Sequence, residues 1–299
     1  MKLLLTGANG QVGFELQRAL APLGTVVALD RSGCNLADAD SIRAAIDAAA
    51  PDVIVNAAAW TAVDKAETER EAAFAINATA LQIIGEAAVQ RGAPVIHYST
   101  DYVFAGDGTR AWREDDAIAP CNAYGASKAA GEQALRDSGA RHLILRTSWV
   151  YAARGGNFLR SILRLAAQRP ALDVVADQWG APTSAALIAD VTAQMLAFYC
   201  HRGDAAMSWG TLHLAAAGET NWHGFASHIV DAARRAGAPL QLAEGALRPI
   251  PGSAWPSPAQ RPANSRLDTT RLRDAFGLVL PAWQRGADHV LTQLLTKAP

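Results

Sequence analysis

The chain has 299 residues, half of them hydrophobic and 18% charged, which is the composition of a globular protein with a sizeable core. Its 27 basic and 28 acidic side chains leave a formal net charge of −1, so no basic field speaks for nucleic acid or a membrane surface. The three cysteines (Cys34, Cys121, Cys200) are odd in number and far apart, which excludes a disulfide framework and reads as free thiols in a reducing compartment.

The opening stretch organises the rest. An apolar run from Lys2 to Thr6 meets glycines at 7, 10 and 13, and a helical pattern (Phe14, Leu16, Leu20) follows at once. This is strand, tight turn and helix. Gly7 permits the sharp turn, Gly10 lets a pyrophosphate approach the backbone, and Gly13 lets the helix lie close on the strand. Amides at the helix start then face an anion, with the helix dipole behind them. No signal peptide precedes this strand and no apolar run approaches the ~20 residues of a membrane span, so a cytoplasmic location is expected.

Thr25 to Leu29 reads as a second strand ending at Asp30-Arg31. A carboxylate there accepts from ribose hydroxyls, which favours NAD; an adjacent arginine holds a 2′-phosphate, which favours NADP. Both are present, so the choice stays open. Asn35-Leu36 follow, then an alanine-rich helix from about Ser41 to Ala50 with Asp40 or Ser41 as its cap. Val53 to Val55 forms a third strand that runs into Ala57-Ala58-Ala59-Trp60-Thr61. Small side chains at a strand's C-terminal end let a flat ligand lie against backbone. A helix from roughly Glu69 to Arg91 precedes a fourth strand, Pro94 to Thr100, that ends in two hydroxyls.

Asp101 to Pro120 reads as a loop whose acidic cluster Glu114-Asp115-Asp116 is a solvated face. Tyr124 and Lys128 open the next helix and share a face, being four residues apart. A free tyrosine is a poor acid at neutral pH, and a nearby ammonium lowers its pKa. Thr100 at the sheet edge can orient a carbonyl oxygen while Tyr124 supplies a proton, an arrangement that suits hydride transfer to a ketone. His142 to Arg146 is a further strand, ending in Thr147-Ser148-Trp149-Val150-Tyr151. Beyond it come loops rich in Pro, Gly and Trp, with prolines crowded into 247–266, and two closing helices at Leu272–Phe276 and Trp283–Leu295. No histidine pair has metal spacing and no G-x-S-x-G elbow is present. The alternation of strand and helix predicts an α/β fold with a doubly wound parallel sheet.

Nearly end to end, the chain resembles the extended short-chain dehydrogenase/reductases, and within them the dTDP-4-dehydrorhamnose reductases. The resemblance is carried by Gly7 to Gly13, Asn56 to Glu67, Ser99 to Phe104, Tyr124-Gly125 with Lys128, Arg146 to Tyr151, Gly180 to Thr183 and Arg261 to Leu267. It implies a Rossmann-type NAD(P)-binding domain over 1–148, completed by a returning segment near 183–215. A smaller mixed substrate-binding domain would take 149–182 and 216–299. It implies NADPH, or NADH, held by Gly7, Gly10, Gln11, Val12, Gly13, Asp30, Arg31, Asn35, Leu36, Ala58, Ala59, Trp60, Thr61, Tyr124 and Lys128. Tyr124, Lys128 and Thr100 would be catalytic; Thr100, Asp101 and Trp149 would touch a sugar nucleotide whose C4 ketone is reduced. Some family members dimerise around Mg²⁺ held by glutamates. Glu15 matches one such position, but Ala186 and Gln293 stand at the others and supply no carboxylate. No metal ligand is therefore assigned, Mg²⁺ stays open, and so does the choice of monomer or homodimer. Another sugar-nucleotide dehydrogenase and a non-catalytic NADP-binding subunit are the alternatives.

Overall fold

The structure, a computed structural model, describes residues 1–295; positions 296–299 of the expected second unit lie outside the described residues. Six short segments make one parallel sheet: β1 (Lys2–Thr6), β2 (Thr25–Leu29), β3 (Val53–Asn56), β4 (Val95–Thr100), β5 (His142–Thr147) and β6 (Gly210–His213). Their order is β6-β5-β4-β3-β1-β2. Leu3 pairs with Val26 on one side and Val53 on the other, and Thr100 pairs with Thr147. β1, β3, β4 and β5 are covered on both faces, which is why they read as unbroken apolar runs rather than alternating ones.

The connecting helices are α1 (Gln11–Leu20), α2 (Ala39–Ala49), α3 (Val63–Thr68), α4 (Arg70–Arg91) and α5 (Ala123–Asp137), followed by α6 (Phe158–Ala166) and α7 (Ala185–Arg202). α1 and α7 press Leu16, Leu20, Ile188 and Met195 onto one face of the sheet. α2, α4 and α5 press Ile42, Ile46, Ile84 and Leu135 onto the other. Each such buried aliphatic side chain contributes about 1.5–3 kcal/mol. The predicted α/β class and doubly wound parallel sheet are thus present.

Local details differ from the sequence reading. α2 begins at Ala39 because Asp38, not Asp40 or Ser41, caps it: its carboxylate accepts from the amides of Asp40 (3.0 Å) and Ser41 (3.3 Å). α4 is long and apolar enough to cross a membrane by length and composition, with 22 residues and mean hydropathy 1.4, where no such run is expected from the sequence. Its alanines and isoleucines serve packing instead: Leu81 and Ile84 meet the sheet, and its central π turn, Ala75–Thr79, lies against α5.

A second core sits beyond the C-terminal edge of the sheet. α6, α8 (Trp222–Arg235) and α10 (Trp283–Leu295) enclose Tyr151, Leu159, Ile162, Phe225, Ile229, Trp283 and Val290. Short strand pairs knit it together: Leu172–Val175 with Leu247–Ile250, Trp179–Gly180 with Thr220–Asn221, and Val150–Tyr151 with Thr183–Ser184. Between these segments α7 and β6 return the chain to the first sheet. α9 (Thr270–Phe276) places Leu272 in the first core.

Candidate active site

The site opens where β1, β3, β4 and β5 end. Gly7 has φ +73°, and a Cβ there would lie 2.6 Å from the Ala58 amide nitrogen, so no other residue fits the turn. Gly13 serves the helix rather than the crevice: a Cβ on it would fall 2.1 Å from the Gly7 carbonyl oxygen. Gly10 is the N-cap of α1, and no side chain caps that helix. Its first-turn amides are therefore free to receive an anion.

A crevice of about 890 Å³ runs from this turn across the sheet edge. Gly7, Gly10, Gln11, Val12, Arg31, Asn35, Leu36, Ala58, Ala59, Trp60 and Thr61 line one end. Thr100, Asp101, Tyr124, Lys128 and Trp149 line the other. Two predicted residues, Gly13 and Asp30, are not in its wall. The Asp30 carboxylate accepts from the amide (2.9 Å) and hydroxyl (2.6 Å) of Ser32 and from the Asn9 amide group (2.8 Å). These bonds hold its pKa below the usual carboxylate range. Arg31 is left facing the crevice.

The hydroxyls converge as expected, but the lysine does not act as expected. Asn122 caps α5, accepting from the Gly125 amide at 2.8 Å, and so fixes where Tyr124 points. Burial pushes the Tyr124 phenol well above its ordinary pKa, and the hydrogen bond with Thr100 only partly opposes that. Lys128, fully buried, reaches β4: its Nζ donates to the Tyr98 carbonyl at 2.7 Å and lies 3.0 Å from His97 Nε2. Burial lowers its pKa to about 7, against the pull of Glu132. The expected picture of an ammonium acidifying the tyrosine is thus corrected. Desolvation dominates both groups, and it favours their neutral forms.

Thr100 donates to Asp101 Oδ1 at 3.0 Å and accepts from the Tyr102 amide at 3.2 Å. Burial raises Asp101 to about 7, opposed by hydrogen bonds with Ser265 and Thr100. Trp149 stacks on Trp222 with centroids 3.6 Å apart and planes at 12°, and it takes the unusual φ of +49°. Gly180 makes room for it, since a Cβ there would lie 2.8 Å from the Trp149 ring. The proline-rich stretch 247–266 is a strap. Arg261 pairs with Asp64 at 2.8 Å, Ser257 donates to the same carboxylate at 2.9 Å, and the Asn264 amide donates to the Arg110 carbonyl at 2.7 Å. Glu114 is not the solvated acid expected of it; it is half-buried and accepts from the His213 amide at 3.0 Å.

Sequence reasoning missed Lys65, Tyr102, Ser148 and Trp222, which also line the crevice. Lys65, Tyr102 and Ser148 lie inside stretches that carry the family resemblance. Trp222 follows a two-residue strand and had no local signal. At the positions that bore on Mg²⁺, Glu15 lies 3.7 Å from Arg18, and Gln293 meets His289 at 3.1 Å. Among the described residues no three His, Cys, Asp or Glu side chains converge on a possible metal position.

A six-stranded parallel sheet with a glycine turn at one end of the crevice and a tyrosine–lysine helix beside it is the architecture of a short-chain dehydrogenase/reductase. Over residues 1–296 the chain matches the family described as RmlD substrate binding domain. It is 49% identical to dTDP-4-dehydrorhamnose reductase of Salmonella typhimurium over 300 residues, covering 99% of each chain. It is 47% identical to that of Burkholderia thailandensis, covering 99% of this chain and all of the relative. The crystal structure of dTDP-4-dehydrorhamnose reductase from Bacillus anthracis in complex with NADP superposes with a TM-score of 0.87 at 32% identity, covering 98% of this chain and 100% of that one. The chain belongs to the dTDP-4-dehydrorhamnose reductase family.

Proposed function

We propose that this chain reduces the C4 ketone of dTDP-4-dehydro-L-rhamnose to dTDP-L-rhamnose, with NADPH as the preferred donor and NADH as a possible one. One observation carries the reading: Thr100 and Tyr124 line the same crevice as the Gly7–Gly10 turn. The names of the relatives and the NADP complex of the Bacillus anthracis reductase support the substrate and the cofactor. The preference for NADPH is supported by Arg31, whose planar fork suits a 2′-phosphate, while the Asp30 carboxylate is occupied by Ser32 and Asn9.

The residues fit a dinucleotide. Gly7 and Gly10 allow close approach, the uncapped start of α1 receives the pyrophosphate, and Ala58 and Ala59 leave room for a flat group. NADPH, when bound, supplies the hydride to C4. Tyr124 gives its proton to the developing O4 alkoxide, a far stronger base than a phenolate. A tyrosine held above its ordinary pKa is fully protonated at neutral pH and so always ready to give that proton. Thr100 orients the oxygen, and the Tyr124 proton is replaced from solvent. Lys128 holds ribose hydroxyls, and Asp101 and Trp149 hold the sugar nucleotide. In this reading 1–148 with 183–215 forms the cofactor unit, and 149–182 with 216–299 the substrate unit.

The test follows NADPH oxidation with dTDP-4-dehydro-L-rhamnose beside its GDP- and UDP-linked analogues. Turnover with the dTDP sugar is expected. No oxidation with any of the three would overturn the reading.

A further inference from the structure

A buried chain of hydrogen bonds runs from the sheet to the crevice. Thr6 Oγ1 donates to Asn56 Oδ1 at 2.6 Å, Asn56 Nδ2 meets His97 Nδ1 at 3.1 Å, and His97 Nε2 meets Lys128 Nζ at 3.0 Å. All four residues are at most 2% exposed. Their donors and acceptors can be assigned from one fixed point. The Ala58 main-chain N–H, which can only donate, points at Asn56 Oδ1 at 3.2 Å. That atom is therefore the amide oxygen, and the group facing His97 is the NH₂. A ring nitrogen facing an NH₂ must accept, so His97 Nδ1 carries no proton. A neutral imidazole then carries its proton on Nε2, pointing at Lys128. An ammonium has no lone pair with which to receive it; a neutral amine has one. The neutral amine also explains the other contact, since it still donates to the Tyr98 carbonyl at 2.7 Å.

We propose that His97 is a positioning residue that holds Lys128 as a neutral proton acceptor, so that seating the dinucleotide is coupled to uptake of one proton at Lys128. The proposal rests on the reading of Lys128 as a cofactor contact. The step balances simply: a proton from the buffer joins the Nζ lone pair, no covalent bond breaks, and the hydrogen bond from His97 Nε2–H to that lone pair is given up. The ribose hydroxyl oxygens that Lys128 would hold accept N–H bonds, and the ammonium has one more N–H to give than the amine does, which favours the charged form. Among the groups around the pair, Glu132 and the Asn56 main-chain carbonyl oppose this assignment, and burial together with the remaining charges outweighs them. Glu132 on α5 is the acidic neighbour that favours a charged lysine, and it is already held by Arg146 of β5 at 2.7 Å. Lys128 and His142 both disfavour a charged His97, and the Asn56 main-chain carbonyl is the one group that favours it. Burial lowers both His97 and Lys128. Tyr98 and Tyr124 are both pushed above the ordinary phenol value and contribute no charge.

Two measurements test this on the full chain. Nitrogen-15 spectra of the histidine-labelled protein alone should show His97 protonated on Nε2, bare on Nδ1, and silent through the range where free imidazole titrates. Calorimetry of NADPH binding above neutral pH, in two buffers of different ionisation enthalpy, should show uptake on the order of one proton per site. His97→Gln keeps an acceptor for Asn56 and a donor for Lys128, and should keep that uptake. His97→Glu, of the same size, pairs with an ammonium and should reduce it several-fold. A proton on Nδ1, equal binding enthalpies in the two buffers for the wild type, or undiminished uptake in His97→Glu would overturn the proposal. If NADPH does not bind the wild type at all, the cofactor reading falls and the coupling with it; the ring spectrum then judges the His97–Lys128 assignment alone. NADPH binding without sugar-nucleotide turnover sinks the proposed reaction and leaves this inference standing.

Discussion

On the sheet wall of the crevice Thr100, Tyr124 and Lys128 each hang from a strand end or a capped helix. Thr100 follows from β4, Tyr124 from a helix start fixed by Asn122, and Lys128 from the next turn of that helix. The opposite wall is built from loops and short strand pairs: Trp149 leans on Trp222, Gly180 yields space, and the strap 247–266 is tied by the Leu247–Ile250 strand, scattered backbone bonds and side chains such as Arg261 and Asn264. The contrast teaches a division of labour. Groups that move protons need positions fixed by backbone, whereas a surface that recognises a bulky ligand can be assembled from aromatic faces and a few side-chain bonds.

Substitutions on the two walls should therefore differ in kind as well as size. Tyr124→Phe should lower kcat by about 10²- to 10⁴-fold and leave NADPH affinity unchanged. A steady-state kcat within about threefold of wild type would remove Tyr124 as the acid. Beneath the same wall, Glu132→Ala leaves Arg146 buried without its bonds of 2.7 and 2.9 Å and should cost about 3–5 kcal/mol, read from urea unfolding. Its pH dependence has a definite sign. The Glu132 pKa is lowered in the folded state, chiefly by Arg146 once its burial is overcome. Its contribution is thus present above the unfolded carboxylate value and lost as pH falls through the folded one, so the gap between wild type and variant should close in acid.

On the recognition wall, Trp222→Ala removes the stack on Trp149, worth about 0.5–1.5 kcal/mol beyond the lost area. The sugar-nucleotide KM should rise several-fold while kcat holds; a fall in kcat with KM unchanged would contradict the division. The smallest effect belongs to Arg261→Ala. Its pair with Asp64 is partly exposed, with side chains at 26% and 45%, so it should cost under about 1 kcal/mol and matter less in high salt. A larger loss would show that the strap carries more of the fold than its exposure implies.

The same division governs how much could be read from the sequence. The glycine turn, the strand ends and the spacing of Tyr124 and Lys128 are local patterns, and all of these fall in or beside one crevice. Where Lys128 would point was not legible, because its partner His97 is 31 residues away on a strand whose neighbours only the fold supplies. The pairing of Asp30 with Ser32 and Asn9 was not legible, because the turn that brings them together leaves no periodic trace. Glu114 looked solvated because His213, its partner, lies 99 residues on. The strap was visible only as crowded prolines, since the bonds that tie it down join residues far apart in the chain, as much as 197 positions for Arg261 and Asp64.

Trp149 holds a bulky side chain at φ +49°, a conformation that costs a non-glycine residue about 1–3 kcal/mol. Glycine would adopt it freely but would forfeit the ring that meets Trp222. The strain persists because the ring packs on Trp222, so Trp149→Gly would relax the backbone and leave that aromatic face bare, and any gain in the chain's local ease is set against the loss of the contact that holds the wall together.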